Sequence, residues 1–310
     1  MQGLQQMFAV RVHEFGGSGA AVYEKAPVPQ AGAGEVLIRV HAASVNPVDW
    51  KTRQGYLRGA VALPMTLGWD VAGVVEQVGA GVEHVVVGDE VYAMIHVRGG
   101  AFAEHAVARA AEVARKPATL SMIDAAGVPL AALTAWQALQ AANLTAGQTV
   151  LIHGAAGGVG LFAVQFAKLA GAQVIGTARS HNHAFVRQFG ADQVIDYRAT
   201  PFEQAVQNVD VVLDTIGGET LARSWSVLKP GGLLASIVDP IDPAAIPDGL
   251  RGARIGVQPD AGQLAHIAGM LDAGQIRPAT TLVLPLSAGR LALDLSETGR
   301  VRGKLVLEIA

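Results

Sequence analysis

A chain of 310 residues, 51% hydrophobic and 16% charged, can fill two cores and does not read as a disordered segment. A net charge of −3 without any basic run leaves no electrostatic footprint for nucleic acid or an acidic membrane surface. With no cysteine, disulfides, thiol nucleophiles, cysteine-ligated zinc and iron–sulfur clusters are excluded together.

No apolar run is long enough to span a bilayer. The first fifteen residues lack the basic-then-apolar order of a secretory signal, so a soluble cytoplasmic protein is the expectation. From Met7 to Pro117 the pattern is mostly β. Val36–Ala42 alternates like a half-buried strand after the turn at Gly34-Glu35, and Val71–Val78 is a second strand closed by Gly79-Ala80-Gly81. Gly88-Asp89-Glu90 turns into a third, Val91–Ile95. Short strands between turn signals predict a β-barrel-like domain.

The character changes after Lys116-Pro117. Ala125–Ala142 predicts an Ala/Leu-rich linking helix, and from Thr149 onward strand and helix alternate. The predicted strands are Val150–His153, Gln173–Gly176, Gln193–Asp196, Val209–Leu213, Leu233–Val238 and Arg254–Val257. Helices are expected at Val159–Ala170, Asn182–Phe189, Phe202–Gln207 and Gly218–Leu228. Short, wholly apolar strands alternating with helices predict an α/β fold: a doubly wound parallel sheet covered on both faces. From Gln263 to Ala310 a helix, further strand-like segments and a final strand at Lys304–Ile309 are expected. Periodicity alone leaves them free to extend the second domain or to return to the first.

The richest stretch is Gly154-Ala155-Ala156-Gly157-Gly158-Val159-Gly160, lying between the first of these strands and its helix. A strand feeding a glycine-rich turn into a helix presents free backbone N–H groups and a positive helix end, a receptacle for a pyrophosphate. Ala155 holds the first position of the dinucleotide pattern, Gly157 and Gly158 let the phosphates approach, and Gly160 permits close helix–strand packing. Asp214-Thr215-Ile216-Gly217-Gly218 lies across the expected switch point, so Thr215, Ile216 and Gly217 are candidates for the ribose and nicotinamide side. The second strand ends in Gly176-Thr177-Ala178-Arg179-Ser180, with no carboxylate before Asp192 to bind ribose hydroxyls. Arg179 can pair a phosphate with its planar fork and Ser180 can donate to it, which favours NADP(H) over NAD(H).

The chain resembles the medium-chain dehydrogenase/reductase superfamily, and within it the zinc-independent quinone oxidoreductases that use NADPH. The matching pieces are Asn46-Pro47-Val48-Asp49-Trp50-Lys51, Leu67–Val75, Gly88-Asp89, Ala101–Glu104, Gly154–Gly160, Gly190-Ala191-Asp192, Leu228–Gly232 and Gly303–Leu307. The resemblance implies a GroES-like substrate domain over 1–120, a Rossmann NADP-binding domain over 121–258, and a return segment over 259–310 that completes the first domain. It implies an interdomain cleft for the substrate and a homodimer formed by edge strands. It adds Thr177, Tyr197, Val238, Val257, Gln258 and Lys304 as cofactor contacts, and places Asn46 and Tyr56 as an amide and a phenol donor to substrate. Asp49 reads as a turn or cap residue. The Asx-turn reading of Asn46-Pro47 and a loop role for Tyr56 stay open.

Zinc-dependent alcohol dehydrogenases of the superfamily carry a cysteine near Asn46 and Gly-His-Glu where this chain has Gly68-Trp69-Asp70. An indole cannot ligate metal, so no catalytic zinc is expected, even with His41, His96 and Asp70 as conceivable ligands. The expected activity is hydride transfer from NADPH to a quinone. Reduction of an enone or enal double bond is the alternative, and an NADPH-binding sensor without turnover is the reading from another class.

Overall fold

In a computed structural model of the chain, residues 5–95 and 99–309 are described. They form two compact units, one of Met1–Leu130 with Gln258–Ala310 and one of Ala131–Val257.

The first unit opens with β1 (Gln6–Val12), β2 (Ala21–Pro27) and β3 (Glu35–Val45), followed by α1 (Pro47–Arg53). Then come β4 (Met65–Thr66), β5 (Asp70–Val78), β6 (Glu90–Met94), β7 (His105–Arg109), β8 (Val113–Arg115) and α2 (Met122–Ala126). α3 (Pro129–Ala141) leads into the second unit, which contains β9 (Thr149–Ile152), α4 (Gly158–Leu169), β10 (Gln173–Ala178), α5 (His183–Gln188) and β11 (Gln193–Asp196). It continues with α6 (Phe202–Ala205), β12 (Val209–Asp214), α7 (Gly218–Ser224), β13 (Leu228–Ser236) and β14 (Arg251–Arg254). α8 (Ala261–Asp272), β15 (Thr280–Pro285), α9 (Gly289–Glu297) and β16 (Lys304–Glu308) close the chain.

In the first unit a seven-stranded sheet runs β15-β16-β3-β5-β6-β8, with β7 also on β3, beside a three-stranded sheet β2-β1-β4. Alternation along β3 buries Val36, Ile38 and Val40 in a core with Val10, Phe102, Leu305 and Leu307. β16 pairs antiparallel with β3, Leu305 opposite Val45. The last strand thus adds to the sheet of the first unit, which periodicity had left undecided. Residues 121–130, expected with the nucleotide domain, belong to the first unit because α2 packs on β3, β5 and β16. Gln258 moves with them. The single helix expected over 125–142 is two helices. α2 ends at Gly127 and α3 restarts at Pro129, whose fixed φ and missing N–H suit a first helical turn.

The second unit is a six-stranded sheet in the order β11-β10-β9-β12-β13-β14, every pairing parallel. Successive units step outward from β9 to β11, then cross to β12 on the other side of β9. The switch point of this doubly wound sheet therefore lies between β9 and β12, where dinucleotides bind across strand ends. β13 starts five residues earlier than expected, and β14 covers Arg251–Arg254 rather than 254–257. β14 is an edge strand without a buried residue, so hydrophobicity could not mark it.

Candidate functional site

The second unit gathers the predicted nucleotide residues at the carboxyl ends of its parallel strands. The buried apolar residues Val150, Leu151 and Ile152 end β9, and the turn that follows leads straight into α4. Gly154 holds φ at +63°, and a Cβ there would stand 2.5 Å from Thr215 Oγ1. A Cβ on Gly160 would meet Ala155 Cα at 2.7 Å, so the third glycine allows the helix to start against the turn itself. Ala155 is buried and is not among the residues with positive φ, so an alanine fits there.

Ala156, Gly157, Gly158 and Val159 are partly exposed around the start of α4. Gly157 is the N-cap, and no side chain caps the helix. The first-turn N–H groups of a twelve-residue helix thus carry no side-chain acceptor, which is what an anion needs.

The neighbouring strand ends supply the rest. Arg179, after β10, donates from Nε to Tyr197 Oη after β11 at 3.1 Å, which brings two predicted phosphate contacts side by side. Ser180 is exposed, but its hydroxyl and N–H bond the Asp196 carboxylate. Arg198 N–H first, and Ser180 with it, hold Asp196 below the usual carboxylate range. Thr177 is buried, with its hydroxyl turned to Gly154 N and His153. It supports the turn from beneath.

Beyond β12, Asp214 accepts from the N–H groups of Ile216 and Gly217 at 3.0 Å and from Ser236 Oγ at 2.8 Å. Thr215 Oγ1 donates to His153 O at 2.8 Å, while Ile216 is half exposed. Val238 follows β13 with its N–H on Ser236 Oγ. Val257 and Gln258 lie beyond β14, in the second and first unit respectively. A cavity of about 470 Å³ lined by Trp136, Leu139, Asn143 and Phe166 includes none of these residues.

The first unit holds a different kind of site. Asn46 follows β3 and caps α1, with Pro47 next and the Asp49 carboxylate accepting Asn46 N–H at 2.7 Å. Its amide hydrogens go to Asp70 Oδ2 at 2.8 Å and Ser44 O at 3.4 Å, and its Oδ1 accepts from Lys304 Nζ at 2.5 Å. Asp70 also takes Ser44 Oγ at 2.7 Å and Leu130 N at 2.8 Å, and Lys304 Nζ lies 3.7 Å away. All four side chains are buried.

Burial pushes Asp70 up and Lys304 down, and their mutual attraction opposes both shifts. Burial, aided by the Asp70 charge, pushes Asp49 up to about 8 against its bond to Asn46 N–H. Asn46, expected to offer an amide hydrogen to a substrate, directs its amide at Asp70 and Ser44 O. Lys304, expected at the cofactor, points its ammonium at Asn46 and Asp70. Tyr56, in the turn after α1, is 63% exposed and keeps a solvent-facing phenol. The sequence signal for α1 was the Asn46, Pro47, Asp49 cap order, and no signal joined it to Lys304, 258 residues away.

Residues 32–118 match the alcohol dehydrogenase GroES-like domain, and residues 189–307 match a family described as zinc-binding dehydrogenase. The mitochondrial NAD(P)H oxidoreductase RTN4IP1 of Danio rerio is 33% identical, over 89% of this chain and 84% of its own length. The 2-methylene-furan-3-one reductase of Solanum lycopersicum is 34% identical, over 90% of this chain and 73% of its own. The solved quinone oxidoreductase of Coxiella burnetii superposes with a TM-score of 0.93 at 34% identity, covering 99% of this chain and all of that one.

The zinc in that family description does not fit these residues. A catalytic zinc takes three protein ligands and an open position. Here the chain has no cysteine, Trp69 offers only an N–H donor, and the Asp70 oxygens are taken by three hydrogen-bond donors with the Lys304 ammonium 3.7 Å away. Among the described residues no three acidic or histidine side chains cluster as metal ligands, and His96 lies outside them. Nor is any helix among the described residues long and apolar enough to cross a membrane.

Proposed function

Because the chain belongs to the medium-chain dehydrogenase/reductase superfamily, we propose that it is an NADPH-dependent reductase of quinones that works without a metal. Oxidoreductase activity with a nicotinamide cofactor comes with the family. The finer reading rests on one observation above others: Arg179 and Tyr197 sit side by side at the ends of β10 and β11, with no carboxylate offered to the ribose hydroxyls by β10.

The uncapped start of α4 would hold the pyrophosphate on the N–H groups around Gly158. Arg179 and Tyr197 would hold the 2′-phosphate, the guanidinium supplying a charge-assisted hydrogen bond. Ser180, already engaged by Asp196, would shape that corner. Bound NADPH supplies the hydride, and the protein needs no nucleophile of its own. The reduced acceptor still needs a proton and a donor to its oxygen. Tyr56 is our assignment for that donor. Asn46 acts through Asp70 and Lys304, holding the buried lysine and its counter-ion in place.

Reduction of an enone is the second reading, favoured by the 34% identity to the tomato reductase. Both are tested on the purified full chain. NADPH and NADH are titrated into the wild type and Arg179→Ala. Steady-state rates are measured with 1,4-benzoquinone, 9,10-phenanthrenequinone and a 2-alkenal. Losing a charged hydrogen bond costs about 1.5–3 kcal/mol, so Arg179→Ala should weaken NADPH about ten- to a hundredfold and leave NADH nearly unchanged. Equal losses for both cofactors would remove Arg179 from the phosphate. Brisk alkenal reduction with no quinone turnover would transfer the assignment to the enone reading. Binding without any turnover would make the protein a nucleotide-binding module.

A further inference from the structure

The glycine turn rests on a side chain to which the proposed reaction gives no part. His153 directly follows β9 and is 1% exposed, its ring edge-on to Phe202 at 4.6 Å between centroids. Its Nε2 lies 3.0 Å from Ser224 Oγ, and its Nδ1 lies 3.2 Å from Thr177 Oγ1.

The directions of these bonds can be worked out. Ser224 has one hydroxyl proton, and it goes to Thr220 O at 2.6 Å, one turn back in α7. Ser224 therefore only accepts from the imidazole, which makes Nε2 the donor. In a neutral ring Nδ1 is then bare and accepts the proton of Thr177. That leaves a lone pair of Thr177 Oγ1 for Gly154 N–H at 3.3 Å. The result is a one-way chain, from Gly154 N–H through Thr177, His153 and Ser224 to Thr220 O. Burial keeps the imidazole neutral by pulling His153 down to about 4, with Asp214 opposing and Arg223 reinforcing. The backbone of the same residue is tied as well: His153 N donates to Leu213 O at 3.0 Å, and its carbonyl accepts Thr215 Oγ1.

We propose that His153, as the neutral Nε2–H tautomer, is a positioning residue that sets the geometry of the dinucleotide loop through the chain from Gly154 to Thr220. The importance of this for cofactor binding rests on reading 154–160 as a dinucleotide loop, but the chain itself does not. A side chain that merely filled space would be indifferent to tautomer. It would also be replaced equally well by leucine and by glutamine, whose amide offers one acceptor and one donor.

The experiment uses the full chain. Long-range nitrogen–proton spectra of histidine-labelled wild type, without cofactor, should show His153 protonated on Nε2 and bare on Nδ1. The opposite tautomer, or an imidazolium at pH 7, would overturn the proposal. Hydrogen exchange of the 154–158 amides should speed up about tenfold in His153→Leu and return toward wild type in His153→Gln. Dissociation constants should rise about tenfold in His153→Leu for NADPH and NADH alike, because the chain touches the turn and not the ribose. Leucine and glutamine variants that match each other, or a leucine variant that matches wild type, would refute the positioning role. If His153→Leu does not fold, the wild-type tautomer and the glutamine variant still decide. If wild type binds neither nucleotide, the dinucleotide reading falls, while tautomer and exchange still judge the chain.

Discussion

The strand-end crest of the second unit and the buried cluster of the first are built on opposite plans. At the crest the candidate groups are backbone N–H groups and at least partly exposed side chains: the uncapped start of α4, Arg179, Tyr197 and Ile216. The polar side chains buried around them, His153, Thr177 and Asp214, turn inward to hold the turns that carry those groups. The buried cluster of the first unit turns its polar groups on one another. Ser44, Asn46, Asp70 and Lys304 satisfy one another in a closed set, while Tyr56 outside it is exposed. The crest leaves its donors at the surface. The cluster is shaped to hold charge in place.

The sharpest way to break that contrast is to open the closed set. Asp70→Ala would leave the Lys304 ammonium buried beside a neutral amide and strip Asn46, Ser44 and Leu130 N–H of their acceptor. Breaking a buried pair by removing one partner costs about 3–5 kcal/mol. Urea unfolding should show that loss, and an Asp70→Asn, Lys304→Met double variant should recover much of it. A single variant as stable as wild type would mean that the cluster is not closed.

The two plans also differ in how far the sequence discloses them. A glycine-rich strand-to-helix turn is made of consecutive residues whose spacing is the geometry, so Gly154 to Gly160 could be placed before the fold was known. The parallel, doubly wound character of the sheet followed from alternating apolar strands and helices, while its strand order did not. The cluster depends on residues 24 and 258 positions apart, and side-chain direction is not encoded in local pattern. That is why Asn46 was expected to face substrate and Lys304 to face cofactor. His153 was legible only as the end of a buried strand, because its partners come from β10 and α7. The edge strand β14 and the break at Gly127 to Pro129 are local. The break is written in the Pro129 ring, and β14 has no buried face to betray it.

Asp49, which accepts Asn46 N–H beside the closed set, gives a test by pH. Its carboxyl titrates at about 8 in the folded protein against about 3.8 as its ordinary value. The folded state therefore binds a proton that the unfolded state releases. The stability this supplies is whole below about pH 4 and is lost as pH rises through 8. Asp49→Asn copies the neutral form and keeps an oxygen for Asn46 N–H. Its unfolding midpoint should be flatter than wild type from pH 4 to 8, with the variant gaining on wild type as pH rises. Parallel curves would show that Asp49 is ionised in the folded state.

Smaller effects are expected at the crest. Gly160→Ala should gain about 1 kcal/mol from helix propensity. It should lose about 1–3 kcal/mol by forcing a methyl against the Ala155 backbone, so it loses on balance. Gly157 has φ of −81° and its nearest neighbour to a Cβ, Gly154 O, is 3.4 Å away. Gly157→Ala should therefore melt near wild type yet bind NADPH more weakly, since the methyl would stand where phosphate must approach. Equal binding by wild type and Gly157→Ala, measured by calorimetry, would show that the phosphates do not lie on that turn.

The smallest change in stability belongs to Tyr56, whose phenol makes no hydrogen bond among the described residues. Tyr56→Phe should unfold within about 0.5 kcal/mol of wild type. If the phenol supplies the proton or the hydrogen bond to the acceptor oxygen, the turnover rate should still fall about a hundredfold or more at saturating NADPH. The separation of the two readouts carries the argument. An exposed hydroxyl that matters to turnover and not to folding is working on something outside the chain. A rate equal to wild type would leave the first unit with a charge-holding cluster and no donor, and the proton would then have to come from water.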